Sequence, residues 1–342
     1  MKYILLPEPD VIRRLPFYFA VEEYVARHYT DDDYFMGWRV NPTVMLGRNQ
    51  LIDNEVNTDY CRQNAIDIFR RKSGGGCIYA DRGCIQFSYI SRTSNAGEAF
   101  ARYMRRMAGM LQGLKIDARL SGRNDILIDD TKVSGCAFYQ LPNRSVLHNS
   151  LLFDTRLDHL SNALTPAREK LRSKGVESVR QRVANVAAYT RLSITSFMDY
   201  VQREMCGTEV LRLTEEDMGG VAEIERELGS DSFVYGRNPK YTVVRKHRFE
   251  GVGTIEAHVE LKNGIIGSIN LVGDYFLLGD IDHDFLALLK GCPFTREAVS
   301  KALQGLELSS VIRGLQLRQF LRLLFGREPH VRKPEWLKID LT

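Results

Sequence analysis

The stretch DILIDDTKVSGCAFYQ, Asp125–Gln140, limits the fold more than any other part of the chain. Residues alternate on both sides of Asp129–Asp130, and an acidic pair between two alternating runs marks a β-hairpin. A hairpin joins antiparallel neighbours, so the sheet that holds it is at least partly antiparallel. HNSLLFD, which begins at His148, is expected as a further strand, and WRVNPTVMLGRNQ as a strand entering a turn at Gly47.

Helical spacing interrupts these strands. In FYFAVEEYVARHY, residues Val21, Tyr24, Val25 and His28 share one face, and Glu22 and Glu23 fall off it. GEAFARYMRRMAGMLQGL carries Phe100, Tyr103, Met104, Met107, Leu111 and Leu114 at helical intervals. That stripe is expected in the core, with Arg102, Arg105 and Arg106 on the solvated side. SITSFMDYVQREM repeats the pattern with Ile194, Phe197, Met198 and Val201.

Glycine and proline break the pattern in FVYGRNPKY, Phe233 to Tyr241, which marks a boundary. Beyond it Ile255, Ala257, Val259 and Leu261 alternate, and Asn263–Gly264 is a type I′ hairpin signal. Helical spacing follows in FTREAVSKALQGL and SVIRGLQLRQFLRLLFG. Two domains are expected, 1–235 and 242–335, the second a small α+β unit.

Composition excludes some classes of function. A formal charge of +4 on 342 residues is too mild for a nucleic-acid protein, which needs a concentrated basic face. There is no apolar run of about 18 residues to span a membrane, and the first apolar run is too short for a signal peptide. Six cysteines, Cys61, Cys77, Cys84, Cys136, Cys206 and Cys292, lack CxxC or Cys/His metal spacing and read as reduced thiols. A cytoplasmic monomer is expected, with no nucleic-acid or membrane partner.

Chemistry concentrates in two stretches. RRKSGGGCIYADRG, Arg70 to Gly83, sets three glycines after a basic run. Glycines let another molecule approach the backbone, and successive exposed N–H groups can cradle an anion. Arg70, Arg71 and Lys72 could add charge-assisted bonds to it. A plain glycine-rich turn with a solvated basic flank remains open. The run has neither the GK[ST] of a Walker A loop nor GxGxxG spacing.

In SGRNDILIDDTKVSG, Arg123, Asn124 and Asp125 open one strand of the hairpin. Lys132 lies on the next, ahead of Ser134-Gly135. A lysine beside a glycine suits a point charge reaching phosphate, and Asp125 could hold a divalent metal or a ribose hydroxyl. The alternative is that Asn124 and Asp125 only make the turn. His148, at the start of an apolar strand, fits a satisfied core residue as well as a catalyst. The sequence has no HxxxH pair and no GxSxG elbow.

RRKSGGGCIYADRG, GRNDILIDDTKVSG and KLRSKGVESVRQRV, in that order, with FYFAVEE before them, closely resemble the lipoate–protein ligases. The resemblance is strong over about residues 15 to 190, and YGRNPKY and GIIGSINLVGDYF resemble that family's accessory domain. It implies an α/β (α+β) fold: a biotin/lipoate ligase-like catalytic domain with a mixed, largely antiparallel sheet and flanking helices, plus the small C-terminal domain. It also implies ATP and Mg2+ as cofactors and lipoate as substrate. Lipoate would attack the α-phosphate of ATP to give lipoyl-adenylate. A lysine of an apo lipoyl domain would then take the acyl group and release AMP. The acceptors would be the lipoyl domains of 2-oxoacid dehydrogenase complexes and the glycine cleavage H protein.

The family pattern implies roles residue by residue. Arg71, Ser73 and Gly74, Gly75 and Gly76 would hold the adenylate and the carboxyl end of lipoate. Cys77, Ile78 and Tyr79 would line the adenosine side. Lys132 would be the essential catalytic lysine, contacting acyl oxygen and phosphate. Asn124 and Asp125 would position phosphate, with Asp125 on Mg2+. Ser134, Gly135 and His148 would lie near the adenylate, and Lys174 and Arg180 would belong to a loop over it. Two positions depart from the pattern: many members have His in place of Ala80 and Asn in place of Cys84.

Three alternatives stay in view. An octanoyl or lipoyl amidotransferase on the same fold would use a cysteine just before the hairpin, where this chain has SGRND, and Cys136 reads as a buried structural thiol. A silent lipoate-binding homologue would account for Ala80 and Cys84. A biotin ligase would need a GRGR-like loop, which is absent. The C-terminal domain, which lacks a glycine-rich anion loop, is expected to gate the site, with Gly236–Pro239 as a hinge.

Overall fold

Asp129 and Asp130 both take positive φ, 48° and 60°, a conformation that aspartate tolerates better than most residues. They close the expected hairpin between β8 (Asp125–Ile128) and β9 (Thr131–Leu141). The computed structural model describes residues 1–50, 52–121, 124–164, 183–235, 243–262 and 264–326. Arg123, Lys174, Arg180, Asn263 and the Gly236–Pro239 segment lie outside the described residues.

The hairpin lies next to the β7 edge of an eight-stranded sheet. Its spatial order is β11 (Val210–Arg212), β1 (Lys2–Leu5), β2 (Tyr34–Trp38), β6 (Cys84–Ser91), β10 (Arg144–Leu152), β9, β8 and β7 (Ala118–Ser121). β1 pairs parallel with β2 and β11, and the other pairings are antiparallel. The sheet is therefore mixed and largely antiparallel, as expected.

Side-chain alternation builds a core on each face. Ile85, Phe87 and Tyr89 of β6 pack with the helices Ala96–Gly113 and Ile194–Cys206. Cys84 and Ile90 of the same strand face the helix Leu15–His28. Each helix starts where its sequence allows: Asn95 caps the first by accepting from the Glu98 N–H at 3.1 Å, and Pro16 opens Leu15–His28. The Phe100, Tyr103, Met104, Met107 and Leu111 stripe is buried, while Arg102, Arg105 and Arg106 are exposed.

Two expectations need correction. WRVNPTVMLGRNQ is not one strand. It ends β2 at Trp38 and resumes as β3 (Thr43–Leu46), which belongs to a second, three-stranded sheet between β4 (Asp67–Arg70) and β5 (Ile78–Ala80). Pro42, which cannot donate a ladder hydrogen bond, stands at the break. Nor do Glu22 and Glu23 leave the packed face: they are 0% and 1% exposed. An unpaired carboxylate there would cost several kcal/mol, so each has partners, described below.

The C-terminal unit forms its own core. β12 (Val243–Phe249), β13 (Gly253–Lys262) and β14 (Ile265–Gly273) make an antiparallel sheet. Ile255, Ala257 and Val259 point inward, and the helices Arg296–Ala302 and Leu317–Phe325 cover them.

Candidate functional site

Strand register assembles one row across the large sheet. Asp125 pairs with Gly135, Gly135 with Ser150, Ser150 with Gln86, and Gln86 with Trp38. His148 lies two residues from Ser150 on β10, so it shares this face one row along. Its cross-strand neighbours are Ala137 and Ser88. The helix Leu15–His28 and the loop Arg71–Cys77 pack over the same face.

At one end of the row Lys132 Nζ stands 2.7 Å from Asp125 Oδ1, and both side chains are about one-third exposed. A Cβ on Gly135 would lie 3.0 Å from that Nζ, so the glycine leaves room for the ammonium over the strand. Asn149 Nδ2 donates to Ser134 Oγ at 2.6 Å and to the Gly135 carbonyl at 3.1 Å. Asn124 Nδ2 donates to the Cys136 carbonyl at 2.8 Å. That bond fixes the strand entry and leaves Asp125 beside the lysine. The Lys132 carbonyl also accepts from the Ala184 N–H at 3.0 Å.

The glycine loop is shaped from beneath by Arg71, whose side chain is buried. Its Nε donates to Ser73 Oγ at 2.9 Å and its Nη1 to the Met45 carbonyl at 3.1 Å. Its Nη2 donates to the Gly74 and Gly76 carbonyls, both at 2.7 Å. A trans peptide directs C=O and N–H to opposite sides. Carbonyls drawn inward by Arg71 therefore turn the Gly75 and Cys77 N–H groups outward, in the sense that an anion cradle requires. Burial lowers the Arg71 guanidinium to about 10, although Cys77 opposes the shift.

The basic run thus differs from the expectation that all three residues face an anion. Arg70 Nη1 donates to the carbonyls of Gly47, Arg48 and Gln50 at 2.6–3.1 Å. Lys72 Nζ pairs with Glu23 at 2.5 Å. Glu22, the other buried acid, accepts from Ser88 Oγ at 2.5 Å and lies 3.3 Å from His148 Nδ1. His148 Nε2 meets Ser73 Oγ. The histidine is thus both a satisfied core residue and a support of the loop.

The C-terminal unit lies on the same loop. The Tyr275 carbonyl accepts from the Gly75 N–H at 3.0 Å. The Phe276 ring, 1% exposed, stacks with Phe138 at 5.9 Å between centroids. Gly74 has to be glycine here, because a Cβ would overlap the Tyr275 carbonyl oxygen. Above Gly76 a Cβ would meet nothing within 4 Å. Asp282 pairs with Arg48 at 2.9 Å, and the Gly273 N–H donates to the Asn49 carbonyl at 2.7 Å.

Cys77 is partly exposed, Ile78 is half-buried, and the Tyr79 ring is buried with its hydroxyl on Asp81 at 3.3 Å. β5, which carries Ile78 and Tyr79, is an edge strand. Ala80 and Cys84 are fully buried. Gln86 Nε2 donates to Cys84 Sγ at 3.1 Å, and burial pushes that thiol up to about 12. Cys136 is also buried, which raises its thiol and denies it the thiolate form a nucleophile needs. Among the described residues no three His, Cys, Asp or Glu side chains converge as a metal site. Nor, among the described residues, is any helix long and apolar enough to cross a membrane.

The chain is similar to known proteins in sequence and in architecture. A family model described as the lipoyl protein ligase A/B catalytic domain matches residues 15–206, and one described as the bacterial lipoate protein ligase C-terminus matches residues 238–324. The lipoate-protein ligase LplJ of Bacillus subtilis is 33% identical over 90% of this chain and 95% of its own. Lipoate–protein ligase 1 of Staphylococcus aureus is 34% identical over 89% and 95%. Plasmodium falciparum LipL1, solved in complex with lipoate, superposes with a TM-score of 0.73 over 94% of this chain and 96% of its own at 18% identity. A lipoate-protein ligase A bound with ATP gives 0.60 over 69% and 98% at 23%. At such identities these two structures speak for the fold.

Proposed function

The chain belongs to the lipoate–protein ligase family, and we propose that it joins lipoate to a lysine of lipoyl-domain proteins in two steps, using ATP and passing through lipoyl-adenylate. The observation that carries this is the pairing of two features on one sheet face. One is a glycine loop whose N–H groups are turned outward by Arg71. The other is Lys132, held over Gly135 by Asp125.

In the first step the carboxylate of lipoate attacks the α-phosphate and pyrophosphate leaves. Charge builds on the phosphoryl oxygens. The Lys132 ammonium is preorganised to meet it, the arrangement that lowers a barrier most, and the loop's N–H groups would join once the phosphate displaces the Tyr275 carbonyl from Gly75. Arg71 and Ser73 act beneath the loop by holding Gly74, Gly75 and Gly76 in that orientation, and His148 supports Ser73. The edge strand at Ile78–Tyr79, after Cys77, offers backbone groups to the adenosine side, and Asn124, Ser134 and Gly135 shape the lysine's end of the row.

Mg2+ binds through one or two carboxylates together with substrate phosphates. Asp125 fits as a single such ligand, and its pairing with Lys132 would loosen as the cation arrives. In the second step the acceptor's lysine amine attacks the acyl carbonyl and AMP leaves. Lys132 would stabilise the oxygen as it becomes negative. The 2-oxoacid dehydrogenase lipoyl domains and the glycine cleavage H protein are the acceptors in this scheme. The domain division at 1–235 and 242–335 belongs to the same proposal, supported by family matches that end at 206 and begin again at 238.

The test is incubation with lipoate, Mg-ATP and an apo lipoyl domain, read by intact mass and pyrophosphate release. A lipoyl mass increment that depends on ATP is expected. Acyl transfer from an acylated donor without ATP would favour the amidotransferase instead.

A further inference from the structure

One chain of hydrogen bonds runs beneath the glycine loop, through groups that are nearly all buried. Arg71 Nε donates to Ser73 Oγ at 2.9 Å. Ser73 Oγ meets His148 Nε2, and His148 Nδ1 lies 3.3 Å from Glu22 Oε2. From the other side Trp38 Nε1 donates to Ser88 Oγ at 2.8 Å, and Ser88 Oγ donates to Glu22 Oε1 at 2.5 Å. Glu22 and Ser88 are 0% exposed, Ser73 1% and His148 6%.

Donor counting gives this chain a direction. A carboxylate only accepts, so His148 Nδ1 carries the proton that faces Glu22. In a neutral imidazole Nε2 is then the acceptor, so the Ser73 hydroxyl donates to it while its oxygen accepts from Arg71. Both arms then end on Glu22, the one member that cannot donate.

We propose that Glu22 is a positioning residue for adenylation: through His148 it orients the Ser73 hydroxyl, which anchors the Arg71 guanidinium that turns the Gly75 and Cys77 N–H groups outward. This rests on the reaction set out above. Reversing the imidazole tautomer would aim Nε2–H at Ser73 Oγ. The hydroxyl proton would then lose its acceptor and crowd Arg71 Nε. The carbonyls of Gly74 and Gly76 would loosen next, although Glu22 touches neither.

Glu22→Gln in the full chain tests this. Its amide nitrogen has to face either Ser88 or His148. Ser88 already carries a proton directed at residue 22 and accepts from Trp38, so the amide favours His148 Nδ1 and moves the ring proton to Nε2. Two readouts are taken: the His148 tautomer from long-range 1H–15N spectra without substrate, and pyrophosphate release with lipoate and Mg-ATP. The expected result is a switch from Nδ1–H to Nε2–H, with kcat down about a hundredfold, the scale of a misplaced catalytic framework, and KM for lipoate nearly unchanged. Ser73→Ala should lose a similar factor, and the double variant should be no worse than either single.

An unchanged tautomer, wild-type kcat in either single variant, or losses that multiply in the double variant would each overturn the proposal. If Glu22→Gln does not fold, Ser73→Ala alone decides through its kcat. Failure of the wild-type protein to release pyrophosphate with lipoate would sink the ligase reaction itself, while the tautomer measurement would still show whether Glu22 sets the proton.

Discussion

The N–H of Gly75 donates to the carbonyl of Tyr275, 3.0 Å away, and so joins the glycine loop to the C-terminal domain. On the neighbouring side of the same peptide, the Gly74 carbonyl is held by Arg71 at 2.7 Å. One donor turned outward for an anion is thus taken by the second domain, beside the packed ring of Phe276. In the proposed reaction an incoming phosphate would have to displace the Tyr275 carbonyl to reach it.

A fragment ending at Tyr235 loses this contact and the cover that Phe276 gives. It should still bind lipoate and ATP, because Lys132 and the loop remain. Adenylate formation should suffer more than transfer from synthetic lipoyl-adenylate, since water is no longer excluded from the anhydride. Assays of the two half-reactions check this, and full activity in both would reduce the domain to a stabilising role.

Lys132→Ala should fold normally, because its side chain is 37% exposed and its main partner, Asp125, also reaches solvent. Adenylate formation should fall about a hundredfold or more, the effect of removing a preorganised charge. Near-normal pyrophosphate release in the folded variant would remove the lysine from the reaction.

Two glycines separate a structural role from a ligand-binding one. Gly75 sits at φ 89° with its Cβ direction 3.1 Å from Arg71 Nη2. Gly75→Val should cost about 1–3 kcal/mol in backbone strain alone and weaken ligand binding. Gly76→Ala meets no atom within 4 Å, so thermal stability should shift by less than about 0.5 kcal/mol. Any loss of lipoyl-adenylate affinity in that variant, measured by calorimetry, reports a ligand in the space above it. Unchanged affinity in both would leave the loop a turn.

The cysteines make a pH prediction. Cys84 is raised from 9.0 to about 12, chiefly by burial. A raised pKa means that the unfolded chain releases this proton first. The contribution is complete below pH 9 and is lost as pH rises toward 12, so thermal stability should fall over that window, and less steeply in a folded Cys84→Ser variant. Native-state alkylation near neutral pH should mark Cys77 and Cys292, the partly exposed pair, before the four buried thiols. Cys136→Ala should keep its pyrophosphate release; an acyl thioester on Cys136 would revive the amidotransferase.

By itself the sequence determined what depends on near neighbours. Alternation around Asp129–Asp130 placed Asp125 and Lys132 on adjacent strands, because a tight turn sets the register of both arms. Helical spacing found the Phe100–Leu111 stripe, and the order of three motifs identified the family. Only the tertiary structure decided what each polar group near the site bonds to. Glu22 and His148 are 126 residues apart, and Ser73 and His148 are 75 apart. Glu22 was read as lying off the packed face because helix periodicity describes one stripe, whereas this helix is covered on more than one side. The signal that could have exposed it was an acidic pair inside an apolar helix, since such charges are almost never buried without partners. Arg71 reads as an anion ligand in the sequence because charge is visible there and direction is not. Its five donors could face solvent, phosphate or main chain. In the structure they meet Ser73 and the Met45, Gly74 and Gly76 carbonyls, because a buried guanidinium has to satisfy its donors on nearby oxygens.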